Sequence, residues 1–340
     1  MAILLIVGIF WSAHPDQLEN SASLQKQGEV VIYVAHDQDY SEPILREFEE
    51  STGIDVKELY DTELTKTVGL VNRLIAEKDN PQADVFWNNE VSRSIQLKNE
   101  NAFQQYCSPN AIDVPSQYKD ENCYWTGFAA RARVILYNTD LISESEAPDS
   151  FTDFIDEKWK GKTCIANPLF GTTGAHVASL FALWGDDEAK KFFLDLKKNE
   201  VQMVSSNSMV RDQVVAGECW IGITDTDDAN DAIVDGKPVK MVFPDQKKGG
   251  IGTLIIPNSV AMINGAPHRE NAEKLIDYLL SKEVEKKLAQ TKAIQMPTRD
   301  VETPANVPKL SGLKGMEVND YQIFEKLGVS REFTQNIFMK

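Results

Sequence analysis

Val215 to Ala232 reads V-A-G-E-C-W-I-G-I-T-D-T-D-D-A-N-D-A. Cys219, Trp220, Ile221 and Ile223 form a β-prone apolar run that passes without a Gly-Pro break into Thr224-Asp225-Thr226-Asp227-Asp228 and a segment able to start a helix. A strand that turns directly into a helix puts the junction at the strand's carboxyl end, where open α/β sheets hold their ligands. Asp225, Asp227, Asp228 and Asp231 crowd this junction. Helix capping and dipole compensation would employ one of them. Two adjacent Asp residues beyond the cap exceed that need, so a ligand cleft stands as the second reading.

Working outward, the chain has 340 residues, 42% of them hydrophobic, enough for two domains with separate cores. Its 35 basic and 52 acidic residues give a formal net charge of -17, which repels phosphate backbones and argues against a nucleic-acid partner. Ala2 to Trp11 is an apolar run too short to span a bilayer as a helix but suited to the core of a signal peptide. Only Met1 precedes it, so an uncleaved anchor is the alternative, and Ser12 to Gln27 reads as a polar spacer. Residues 1–28 are therefore expected to be a signal or anchor segment with its spacer, and the rest periplasmic or otherwise extracytoplasmic.

Four cysteines fit an oxidising compartment. Cys107 and Cys123 flank a loop rich in Pro, Asn and Asp that a disulfide would staple, while Cys164 and Cys219 each open a β-like run. Three pairings are open, and the preferred one joins Cys107 to Cys123 and Cys164 to Cys219. Zinc is not expected, because no C-x-x-C spacing occurs and no His lies beside a Cys.

The remaining pattern alternates strands with helices. Glu29 to Ala35, Ile54 to Tyr60 and Ala83 to Trp87 read as strands, with helices from an expected N-cap at Ser41 to Gly53 and over Val68 to Ile75. Such alternation implies a parallel sheet covered on both faces. Trp125 to Asn138 is long enough to cross between two domains, and Gly252 to Ile263 is a candidate second crossing. Between them come a short helix over Phe151 to Trp159, strands over Thr163 to Ala166 and Val201 to Val204, and the turn N-P-L-F-G-T-T-G-A-H at Asn167 to His176.

Six pieces in order resemble the type II periplasmic solute-binding proteins of ABC importers, in the group around the ferric-ion-binding proteins. They are V-I-Y with a polar turn and a helix ending F-E-E-S-T-G-I, then A-D-V-F-W-N-N-E, A-R-A-R-V-I-L-Y-N-T, D-E-K-W-K-G-K, N-S-M-V-R-D-Q-V-V-A-G-E and A-I-Q-M-P-T-R. The resemblance covers nearly all of Glu29 to Lys340. It implies an α/β fold of two lobes, each a mainly parallel sheet flanked by helices, joined by two crossing strands. Residues 29–131 plus 256–299 would form lobe 1, and 132–255 plus 300–340 lobe 2. It further implies a monomer that takes a small-molecule or metal ligand and delivers it to an ABC permease, with no cofactor required and a metal ion bound only as cargo.

Carried over residue by residue, the resemblance puts Asp227 and Asp228 where ferric binders commonly place a Tyr-Tyr pair. A first-turn His of some members falls at Asp37, next to His36, and an acidic ligand falls near Asn89 or Glu90. The candidate metal set is thus Asp37, Glu90, Asp227 and Asp228, carboxylates suited to hard cations. The anion side would use Arg131, Thr172 and Thr173, with Asn207 and Ser208 as further contacts, and Asp225 joins the ligand set. Guanidinium forks and helix N–H groups do bind phosphate or carboxylate. A structural ion pair remains open for Arg131, and plain capping for the two Thr residues.

The favoured reading is a binder of ferric iron with an anion, or of a metal complex. A phosphonate or phosphorylated zwitterion such as an aminophosphonate is the alternative. A secreted hydrolase or lyase using Asp227 with His36 lacks support, since no G-x-S-x-G, H-E-x-x-H or Walker-type loop occurs.

Overall fold

A computed structural model describes residues 27–61 and 68–339, so the expected signal or anchor segment lies, except for its last two positions, outside the described residues. In chain order the first lobe opens with β1 Glu29–Val34, α1 Gln38–Thr52, β2 Asp55–Tyr60, α2 Val68–Ala76, β3 Val85–Asn88, α3 Ser92–Asn99 and β4 Phe103–Gln104. The crossing strand β5 Thr126–Asn138 leads to β6 Thr163–Ala166, α4 Gly171–Trp184, α5 Asp186–Lys198, β7 Gln202–Val204 and α6 Asn207–Ala216. Then follow β8 Ile221–Asp225, α7 Thr226–Val234, β9 Val239–Val242, β10 Ile255–Ile263, α8 Arg269–Leu279, α9 Lys282–Gln290 and α10 Asp320–Phe338.

The strands run in the order β2-β1-β3-β10-β5-β8-β6-β7, with β4 on β10 and β9 on β5. β1 pairs in parallel with β2 and β3, and β6 in parallel with β7 and β8, as covered βαβ units require. β5 joins the two halves. Up to Ala132 it pairs antiparallel with β10, and from Arg133 it pairs with β8 and then β9. The lead-in to β10 makes the second crossing: Leu254 O accepts from Arg133 N and Thr253 N donates to Lys314 O before β10 enters the first lobe's sheet. The sheets are mixed rather than mainly parallel, parallel over β2-β1-β3 and β8-β6-β7 and antiparallel wherever β5 and β10 pair; flanked by helices and joined at two crossings, they constitute the α/β fold of the type II periplasmic binding proteins.

Each lobe buries its own apolar cluster. Val30, Ile32, Phe48 and Trp87 anchor one, and Ile135, Phe154, Phe181, Phe193 and Ile223 the other. Full burial of each such side chain contributes about 1.5–3 kcal/mol. Gly222 serves the site directly: a β-carbon there would collide with Val210 and Val214, so its absence lets α6 lie against β8. α10 packs on α4 and reaches across to α3. Among the described residues no helix is long and apolar enough to cross a membrane.

Three local expectations need correction. α1 starts at Gln38 with Asp37 as N-cap, not at Ser41, whose hydroxyl donates back to Asp37 O at 2.8 Å. Phe151 to Trp159 forms two short 3-10 turns, Phe151–Ile155 and Glu157–Trp159, because Asp156 is extended and caps the second. Cys107 and Cys123 are bridged as expected, but Cys164 and Cys219 are separate, buried thiols. β6 and β8 are parallel neighbours, yet the register sets Cys164 opposite Gly222 and leaves Cys219 before the strand begins. Burial, with Cys219 close by, pushes the Cys164 thiol pKa far up.

Candidate functional site

The quoted junction lies at the floor of a cleft of about 560 Å³ between the lobes. Ile221 to Asp225 run as a buried strand, and Asp225 is the N-cap of α7, so Asp227 and Asp228 occupy the helix's first turn. One carboxylate oxygen from each of Asp225, Asp227 and Asp228 lies within 4.8 Å of the other two. Thr224 Oγ1 donates to Asp228 Oδ2 at 3.3 Å, and Arg211 Nη1 stands 4.0 Å from its other oxygen.

Asp225 sits deepest. Its Oδ1 accepts from Arg133 Nη1 at 2.7 Å, and its Oδ2 from Thr172 Oγ1 at 2.7 Å, Asn207 Nδ2 at 3.2 Å and Arg131 Nη1 at 3.3 Å. Burial alone would raise its pKa, but the Arg133 and Arg131 guanidiniums hold it below the ordinary carboxylate value. Arg131 also donates to Asn89 O and lies 3.5 Å from Asp227 Oδ2. It is therefore both a cleft-lining group and a member of a buried ion-pair network tying β5 to both lobes.

From the first lobe Asp37, Gln38, Asp39 and Tyr40 at the head of α1 face this floor, with Asn89 after β3 and Lys292 beyond α9. The Tyr40 phenol is pushed well above its ordinary pKa by burial and by Asp227, Asp231, Asp37 and Asp228. Six carboxylates and three cationic side chains line the cleft: Asp37, Asp39, Asp225, Asp227, Asp228 and Asp231 against Arg131, Arg211 and Lys292. An incoming cation is favoured by that imbalance.

The cleft gathers Asp37, Arg131, Thr172, Thr173, Asn207, Ser208, Asp225, Asp227 and Asp228, and leaves out Glu90. Glu90 turns to the start of α3, accepting from Ser92 Oγ at 2.5 Å and Arg93 N at 3.0 Å, and burial raises its pKa. Its neighbour Asn89 takes the place on the cleft. Ser208 shares a hydrogen bond of 2.8 Å with Ser206, whose hydroxyl caps α6 by accepting from Met209 N. His36 is buried, with Nε2 2.9 Å from Gln295 Nε2, and is not among the residues that line the cleft.

Sequence reasoning passed over Arg133, Tyr40, Arg211 and Lys292. Arg133 carried a signal, since the two Arg of A-R-A-R are two apart on a strand and share a face. Arg211 lies one helical turn beyond Asn207 and Ser208. Lys292 reaches the site only through the packing of the lobes, where its Nζ meets Asp231 at 3.5 Å and Asp235 at 2.7 Å.

The sequence profile of a family described as bacterial extracellular solute-binding protein matches residues 44–314. The chain is 28% identical over 279 residues to Iron uptake protein A1 of Synechocystis sp., covering 78% of this chain and 74% of that protein. It is 30% identical over 240 residues to a putative 2-aminoethylphosphonate-binding periplasmic protein of Salmonella typhi, covering 70% and 68%. In fold it is similar to iron-bound HitA from Pseudomonas aeruginosa, with a TM-score of 0.81 at 20% identity over 91% of this chain and 99% of that one.

Proposed function

The chain belongs to the bacterial extracellular solute-binding proteins, and we propose that its cargo is a hard cation, ferric iron bare or as a complex, captured outside the cytoplasm for an ABC permease. The observation that carries this reading is the convergence of Asp227 and Asp228 beside Asp225 on the cleft floor, with Asp37 on the opposite wall. Carboxylate oxygens are the donors hard cations prefer. The name of the Synechocystis relative agrees with it. At about 560 Å³ the cleft far exceeds the ~30 Å³ share of one water-sized ion, which favours a hydrated or chelated cation.

A second reading, an aminophosphonate, draws on the Salmonella relatives and on Ser205, Ser206, Ser208 and Arg211, which present hydroxyls and a guanidinium to the cleft at the head of α6. Its amine would face the same carboxylates. The matching family is described as solute-binding and the Salmonella relatives are named as binding proteins, so binding without turnover is the expected activity. If the N-terminal apolar segment is retained, it would anchor the protein at the membrane.

Calorimetric titration with ferric nitrilotriacetate and, separately, with 2-aminoethylphosphonate tests the proposal. Saturable binding of the ferric complex, reduced by Asp228→Asn, is the expected result. Binding of 2-aminoethylphosphonate alone would replace it with the second reading.

A further inference from the structure

Four donors suited to holding an anion at the cleft floor, Arg131, Arg133, Thr172 and Asn207, are engaged by a carboxylate of the chain itself. Two oxygens of Asp225 receive four donors from three elements: Arg131 and Arg133 on β5, Thr172 on α4 and Asn207 on α6, at 2.7–3.3 Å. That matches the acceptor capacity of an ionised carboxylate. The Asp225 side chain is 2% exposed, and the Arg133 side chain beneath it is 0% exposed. The cradle's other hydroxyl hydrogen is committed as well, since Thr173 Oγ1 donates to Asn207 Oδ1 at 3.2 Å while accepting from Arg133 Nη2 at 3.2 Å.

We infer that Asp225 is a resident anion: its carboxylate fills the cradle of Arg133, Thr172, Asn207 and Arg131, so the cleft takes its cation without a companion anion at that position. This rests on the reading of the cleft as a cation binder. A phosphate, sulfate or phosphonate oxygen entering the cradle would meet donors already used and a like charge in a poorly solvated pocket, where repulsion is strong. With its own charge balanced by Arg133, Asp225 orders the floor and leaves the adjacent Asp227 and Asp228 to meet the ligand. It acts as a specificity-determining group: Asp225→Ala would empty the cradle of both the charge and the side chain that fill it and admit an outside anion.

Sulfate is the probe for the anion and terbium(III), read by its luminescence in a perchlorate medium, the probe for the cation. Wild type is expected to show no calorimetric sulfate binding at millimolar concentration and the same terbium affinity with or without sulfate. Asp225→Ala is expected to bind sulfate on the order of a hundredfold more tightly than wild type. Its Tm should rise with sulfate beyond the general salting effect seen in wild type, and its terbium binding should become sulfate-dependent. A purely structural Asp225 would give a destabilised variant indifferent to sulfate, and that result overturns the inference. Sulfate binding by wild type that Thr172→Val abolishes overturns it too. Should Asp225→Ala fail to fold even with sulfate, the wild-type arm decides: terbium binding unaffected by sulfate supports the inference, and sulfate-enhanced terbium binding overturns it. Absence of terbium binding in both proteins, with sulfate gained by the variant, would instead remove the cation reading and leave the resident anion standing.

Discussion

The two walls of the cleft are built differently. The second lobe's floor is buried and cross-bonded: Asp225, Thr172, Thr173 and Arg133 are all buried, and every one bonds to another member or to Asn207. The first lobe's wall is mostly the opening turn of α1, where Gln38 and Asp39 are exposed and Asp37 and Tyr40 half-buried, with buried Asn89 and exposed Lys292 beside it. A wall whose donors and acceptors satisfy one another is preorganised but cannot be altered without disturbing the fold. A wall of half-exposed side chains can change ligand affinity with little consequence for stability. The second lobe therefore presents a finished floor, and the first lobe supplies an adjustable cover.

The largest effect should come from the floor. Arg133→Met keeps the bulk of the side chain but leaves the Asp225 carboxylate without its shortest ion pair, 2.7 Å, in a buried setting. Removing one partner of a buried pair typically costs about 3–5 kcal/mol, with Arg131 at 3.3 Å retaining part of the compensation. Urea unfolding monitored by circular dichroism measures it. A variant as stable as wild type would break the contrast between the walls.

Asp228 stands at the boundary of the two regimes, on the first turn of α7 with its side chain 19% exposed. If it meets the cargo, Asp228→Asn should weaken binding of the cation by on the order of 2–5 kcal/mol, about thirtyfold to several thousandfold. If it only compensates the helix terminus, stability should fall by roughly 0.5–2 kcal/mol with affinity unchanged. Calorimetry and a melting curve on the same preparation separate these outcomes, and unchanged affinity would return Asp228 to structure.

The contrast also marks what could be read from the sequence. Local patterns carried the strands and most helices, because Val30 to Val34 or the Val68, Val71 and Leu74 face declare themselves within a few residues. The staple at Cys107 and Cys123 was legible for the same reason, a loop of turn-forming residues between its ends. Cys164 and Cys219 were not, because whether they meet depends on the register of β6 against β8, and a three-residue offset is invisible in either strand alone. In the site, the acidic junction drew notice as a cluster along the chain. The direction of Glu90 is set by where α3 begins, and the engagement of Asp225 by Arg133 depends on β5 pairing with β8 at Arg133 and Asp225. Lys292 and Tyr40 reach the cleft only when the lobes come together, which no periodicity encodes.

The smallest effect belongs to the cover. Tyr40 lies at the head of α1, surrounded by the charges of Asp227, Asp231, Asp37 and Asp228, which together with burial keep its phenol protonated at neutral pH. A neutral phenol can contribute a hydrogen bond to the ligand or to those carboxylates, worth about 0.5–1.5 kcal/mol net. Tyr40→Phe should therefore lower affinity by roughly threefold to tenfold and leave the unfolding midpoint in place, since the ring's packing is retained. A bound trivalent cation would reverse the electrostatics that hold the proton on, as the ion becomes the largest local charge. In that case the phenol ionises on binding, ferric loading gives a visible charge-transfer band that Tyr40→Phe removes, and the affinity loss exceeds the hydrogen-bond estimate. Loss of stability in Tyr40→Phe with no change in affinity would contradict both versions, and would make the first lobe's wall as structural as the floor it faces.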